Sequence, residues 1–263
     1  MAFRLTTFAG TTLPAFNWTM DFSTPATVNP VVNTLNGAID FYAVRRRITH
    51  QQEFELDAEP DPTSVAATIR GLKGLVGKTG YLVRVHTDGT NTLQRYCRLL
   101  WVGYQPKATQ HGIINKLTMR FFTLEPFWRS STTTTHGPTS ISSGGNINLT
   151  IAGEEDVIDA TLTVAASSNM SSITVSHTKT ENSVSIISKF AKSSTLTAGN
   201  SWVVNCGQYT ATAAGSGDLA NFALDSTHTE MYWLRLPAGS NTLVITLGSG
   251  AGTYTLAYNA VYQ

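Results

Sequence analysis

One seam constrains this chain more than any other feature. An alternating, aromatic-rich run, Leu117-Thr-Met-Arg-Phe-Phe-Thr-Leu-Glu-Pro-Phe-Trp-Arg129, ends on a proline and two large rings, and Ser130-Ser-Thr-Thr-Thr-Thr135 follows at once. Proline cannot donate to a sheet ladder, so a strand entering Pro126 is expected to stop there. Charge changes across the same point. Residues 1–130 carry 14 Lys+Arg and 9 Asp+Glu, whereas residues 131–263 carry 4 and 8. Two modest domains fit a chain of 263 residues divided in this way, since domains cluster near ~100–150 residues.

Composition narrows the fold class. Only 13% of residues are charged while 41% are hydrophobic, against roughly 25% charged in an average soluble domain. That balance, rich in Thr, Ser, Val and Gly, favours sheet and argues against disorder. A net charge of +1 makes no strong claim on nucleic acid or a membrane. No run approaches the ~20 apolar residues of a membrane span, and Met1-Ala-Phe-Arg-Leu5 opens no signal peptide. Cys97 and Cys206 lie on opposite sides of the seam and are expected as two buried free thiols.

The first part reads as long strands with one helix. Phe3 to Phe8 is a strand, and residues 10–36 form a long Pro-containing loop with a single charge, Asp21. Residues 38–48 and 51–57 alternate as half-buried strands. Asp61 and Pro62 predict a helix start, with Val65, Ile69, Leu72 and Val76 on one face and Gly77 as the stop. Residues 81–86 and 94–102 flank the hairpin signal Asp88-Gly-Thr-Asn91. Residues 131–145 are expected as a flexible or extended linker. Beyond it, short strand candidates fall at 147–151, 157–164, 173–175, 183–190, 201–204, 231–236, 242–247 and 253–258, which reads as a β-sandwich of the jelly-roll type over 146–263.

Catalytic constellations are missing from the pattern. Six histidines are scattered with no metal-ligand spacing, and no Gly-x-Ser-x-Gly elbow occurs. Glu154, Glu155, Asp156 and Asp159 are dense in carboxylate, but acids on one loop are a solvated edge or a weak cation site rather than a hydrolase pair. No enzyme activity and no cofactor are expected. Arg45-Arg46-Arg47 is the basic run. Arg45 and Arg47 would share one strand face, suited to a solvated surface or a salt-bridged subunit contact. Trp202 and Trp233, among several aromatics of the second part, are candidates for stacking a glycan or a partner, and equally for filling a sandwich core.

The order of three segments resembles the distal tail protein of long-tailed, siphovirus-type bacteriophages. These are the single helix at 61–77 among long strands, the exit Leu124-Glu-Pro-Phe-Trp128 with its Ser/Thr tether, and the close Trp233-Leu-Arg-Leu-Pro-Ala-Gly-Ser-Asn-Thr-Leu-Val-Ile-Thr-Leu247 with Tyr254-Thr-Leu-Ala-Tyr258. The resemblance implies a mainly β protein, with a tail-tube-like ring-forming domain at 1–130 and a galectin-like sandwich at 146–263. It implies a homo-hexamer at the virion tail tip, made in the host cytoplasm, without membrane contact. Its partners would be the tail tube protein, the baseplate hub, the tape measure protein and receptor-binding or side-fibre proteins, with phage DNA passing the lumen without specific binding. Arg45, Arg47, Val65, Ile69 and Leu72 would then be candidates for the subunit interface. A carbohydrate-binding adhesin is the alternative from a different class.

Overall fold

Strand after strand in this chain alternates apolar and polar residues, and a sheet with one buried face follows from that period of two. A computed structural model describes residues 3–13, 17–21, 53–58, 65–86, 92–109, 112–125, 127–142, 145–181 and 184–262. They form a mainly β protein with antiparallel sheets and, among the described residues, one α-helix. The chain divides into two compact units, Met1–Ser131 and Thr132–Gln263.

In the first unit, β1 (Phe3–Phe8), β2 (Thr11–Thr12), β3 (Asn17–Asp21) and β4 (Glu53–Ala58) precede helix α1 (Val65–Lys73). The strands β5 (Thr79–His86), β6 (Thr92–Thr109) and β7 (Gly112–Thr123) follow it. Pairing runs β6-β5-β1-β3-β4-β7, and β7 pairs again with β6, so the ladder closes on itself. A closed ladder leaves no unpaired edge to protect. Leu5, Phe8, Leu56, Leu82, Leu99, Leu117, Met119 and Phe121 fill it, each at most 1% exposed. Phe8 and Phe121 meet edge to face at 5.3 Å.

Several expectations change here. Residues 10–36 are not wholly a loop, because β2 and β3 lie within them and β3 joins β1 to β4. The strand expected at 38–48 lies outside the described residues. Helix α1 packs on β6, with Leu72 buried within it and Leu75 buried just beyond its end, while Val76 is 42% exposed. The helical phase does not reach Val76, because the helix has already ended at Lys73. Gly77, at φ +85, turns the chain so that its N–H donates to the Leu99 carbonyl at 2.8 Å.

The residues expected as a flexible or extended linker carry regular structure. Residues 131–142 belong to a strand, β8 (Trp128–Ser142), followed by β9 (Gly145–Ile151). In the first unit Ser130 and Arg129 of β8 pair with Leu93 and Gln94 of β6. A Ser/Thr run looks like a tether by polarity, yet Thr is β-branched and fits a pleated surface. Most of this strand's side chains are exposed, so it lacks the alternation that would have marked it.

The second unit is a sandwich. One of its sheets continues from β8 through β18 (Ala251–Tyr262), β10 (Thr161–Ala166), β13 (Ser201–Asn205), β14 (Thr210–Ala213) and β15 (Ser216–Gly217). The other runs β16 (Phe222–Leu224), β12 (Val184–Lys192), β11 (Ile173–Glu181), β17 (Gly239–Leu247) and β9. Burial alternates strictly along β10 and β13 and along most of β17 and β18. Phe190 of β12 and Trp202 of β13 meet at 6.1 Å, each fully buried. Residues 231–236, expected as a strand, form an irregular segment whose one β-bridge among the described residues joins Leu236 to Val157. Leu234 and Leu236 are buried there, Met231 is exposed, and no ladder continues through them.

Candidate functional site

Two places in the molecule are built for more than packing. The first is an arm. β4 pairs with β7 from Leu117 to Phe122, and β5 pairs with β6 from Thr92 to Arg98. Beyond those spans, Gln105–Thr109 and Gly112–Lys116 pair with one another alone among the described residues. Five residues at about 3.3 Å each carry this two-stranded ribbon roughly 17 Å past the closed ladder. Among the described residues, the ribbon's outer sides pair with no further strand, and such an edge is a template for one.

The second is a cleft of about 820 Å³ in the sandwich unit, with His136, Asn148, His177, Lys179, Asn241 and Thr242 among its lining residues. Strand register explains how they arrive there. His177 follows Ile173 and Val175 on the buried face of β11, and Asn241 precedes Leu243 and Ile245 on the buried face of β17. The two meet at 3.0 Å between His177 Nε2 and Asn241 Oδ1. Asn241 Nδ2 donates to the carbonyls of Pro237 and Gly239, each at 2.8 Å, which fixes Oδ1 as the acceptor. His177 therefore carries its proton on Nε2 when neutral, leaving Nδ1 as a lone-pair acceptor. Burial pushes its pKa below the usual value, outweighing the hydrogen bond to Asn241.

On the exposed face of the same sheet, Thr242 Oγ1 donates to Asn148 Oδ1 at 3.0 Å, so the Asn148 amide presents its N–H groups. His136 stacks on the Tyr258 ring at 5.8 Å, and its Nε2 is buried without a hydrogen-bond partner. Asp156 accepts from Arg235 Nε at 2.6 Å and Lys179 Nζ at 3.3 Å. Burial alone would raise the Asp156 carboxyl, but those two cations hold it below its usual value. Arg235 also reaches Glu230 at 3.3 Å. In the acidic run at 154–159, Asp156 is an ion-pair node, Glu155 is 5% exposed, Asp159 is half-buried and Glu154 is exposed. Among the described residues no group of three His, Cys, Asp or Glu side chains could hold a metal.

The residues singled out from sequence fare unevenly. Arg45 and Arg47 lie outside the described residues, and Val65 and Ile69 sit in α1. Leu72 is 3% exposed within its own unit. Trp202 is wholly buried and is no glycan contact, because β13 turns it into the sandwich core. Trp233 is half-buried in an aromatic cluster, stacked on Phe222 at 4.1 Å with Tyr209 edge-on at 5.4 Å. It is not among the residues of the cleft. Nothing in the sequence flagged the cleft, because its side chains come from strands distant in the chain and match no spacing.

Cys97 and Cys206 are buried free thiols, and burial pushes both up to about 12. The seam is pinned. Leu124 and Glu125 N–H groups donate to the Tyr96 carbonyl, Arg95 Nε donates to the Glu125 carbonyl at 3.0 Å, and Trp128 is 2% exposed.

A closed β unit with one helix and an overlong hairpin, followed by a β-sandwich, is the architecture in hand. This chain is similar in fold to the crystal structure of the SPP1 Dit protein (gp 19.1), described as a paradigm of the hub adsorption apparatus in phages that infect Gram-positive bacteria. The likeness has a TM-score of 0.60 at 13% identity and covers 100% of both chains, so it is one of fold. The phage P2 baseplate in its activated conformation with Ca is similar over 81% of each chain at 12% identity, with a TM-score of 0.36. No protein-family model matches the chain, and no curated protein matches it by sequence.

Proposed function

We propose that this chain is a structural subunit of a phage tail tip, a distal tail protein that joins the tail tube to the baseplate hub. The observation that carries the reading is the ribbon Gln105–Lys116 standing beyond a ladder that is otherwise closed. The full-length likeness in fold to SPP1 Dit supports it. A closed unit has no edge to offer a neighbour, so a subunit contact built on strand pairing must use such an arm. Six copies joined head to tail would close into a ring around a lumen wide enough for DNA, which passes without specific contacts. The sandwich units would serve as attachment points for receptor-binding or side-fibre proteins, and the tape measure protein would end at the same hub. The chain acts as scaffold, not catalyst.

Light scattering coupled to size exclusion tests this directly on the full chain. A particle of about six subunits is the expected result, and deletion of residues 132–263 should leave its subunit number unchanged. A monomer at tens of micromolar would overturn the ring.

A further inference from the structure

We infer that Trp101 anchors the contact with a second copy of this chain, at the foot of the ribbon, with Gly103 and Arg120 as the seat that holds it. The contact rests on the ring proposed above, and it lies outside the ribbon, on the strands from which the ribbon rises.

Strand period alone would bury this indole. Cys97 and Leu99, both 0% exposed, lie on the inner face of β6, and a period of two would place Trp101 beside them. The register instead shifts between Leu99 and Trp101, where Leu100 is one residue too many against β7 and forms a bulge. The bulge reverses the faces, so that Val102 is buried at 4% and Trp101 stands 45% exposed. Gly103, next along the outer face, is buried, and a Cβ there would collide with the indole, so the ring lies over the glycine backbone. Arg120, opposite Trp101 in register, holds its guanidinium 6.0 Å from the ring centroid. An indole turned out of the core forgoes the burial its own unit would have given it. Seated on glycine and flanked by a cation, it is fixed before a partner arrives, which leaves little ordering cost on binding.

Area and position choose the partner. A ribbon about 17 Å long and two strands wide, roughly 10 Å, presents on the order of 170 Å² on a face. That is well short of the ~800 Å² per partner of a stable interface, so the ring contact needs surface next to the ribbon. Trp101 lies about 13 Å before Gln105, where the ribbon begins, at ~3.3 Å per residue. A second copy paired along the ribbon therefore meets the outer wall of the unit at the ribbon's foot. Among the described residues of the first unit, Trp101 is the most exposed large hydrophobic side chain. Trp and Arg are also the residues that most often carry the binding energy at the centre of an interface.

Hydroxyl-radical footprinting of the full wild-type chain, read by mass spectrometry, tests the anchor above and below the concentration at which light scattering shows the particle to form. Trp101 should be oxidised severalfold more slowly in the particle than in the monomer. Trp101→Ala should raise the concentration of half-assembly about thirtyfold, the lower bound for a hot-spot residue, with the far-ultraviolet dichroism unchanged. Gly103→Ala, which drives the ring off its seat, should act in the same direction. A particle in which Trp101 reacts as fast as in the monomer overturns the anchor and leaves the ring standing. An unchanged half-assembly concentration in Trp101→Ala does the same. A wild-type chain that stays monomeric at tens of micromolar overturns the ring and the anchor with it. Should Trp101→Ala fail to fold, the wild-type footprint decides alone.

Discussion

Trp128 and its neighbours hold the point where the chain leaves the first unit. The Arg84 guanidinium lies 4.1 Å from the indole centroid and Arg95 lies 5.9 Å from it, so two cations flank a buried ring. Trp128→Ala should cost the first unit about 3–5 kcal/mol, the usual penalty for deleting a buried aromatic. A chemical denaturation midpoint reads it, and Trp128→Phe should recover much of the loss. In the sandwich unit, pH acts through two groups. His177 is held neutral by burial, whereas its unfolded imidazole takes a proton near 6.5. The unfolded chain then binds more protons, so stability falls as pH drops below about 6.5. Asp156 is depressed from 3.8, so its contribution is present above that value and is lost as pH falls through its lower folded value. Melting curves between pH 8 and 3 should show both losses, and His177→Gln should remove the first. The residue-level sequence reading saw the aromatics correctly as either core or surface. It could not choose, because Trp202 and Trp233 differ only in what the strands around them do.

Among the elements, the ribbon of β6 and β7 is the one whose length exceeds what its own unit needs. Replacing residues 105–116 by a two-residue type I′ turn should leave the closed ladder folded, because the pairings at Leu117–Phe122 and Thr92–Arg98 lie outside the cut. If the ring is built on this ribbon, light scattering of the shortened chain should read a monomer, while far-ultraviolet dichroism keeps its sheet signal. Strands of strong alternation were legible in advance, among them 147–151, 201–204 and 253–258. Those whose side chains are mostly exposed were not. β8 read as a tether because thirteen of its fifteen residues never enter a core, and pairing, not burial, makes it a strand.

At the scale of the whole chain, the seam, the sheet-rich composition and the sandwich of the second part were readable because they depend on composition and local period. Closure of the first unit's ladder was not, since it depends on β6 bonding to β5 on one side and β7 on the other. The cleft was equally hidden, because its groups converge only after β8, β9, β11 and β17 have taken their registers. One consequence of β8 concerns force. A Ser/Thr tether would be slack, and a tug on Thr132 would stretch it before anything else responded. A paired strand has no slack. A pull entering at Thr132 arrives at once on the Leu93–Ser130 and Gln94–Arg129 rungs and on the indole clamped beneath them. Under load, the first link to give in this strand would therefore be a hydrogen-bonded rung, not a floppy spacer.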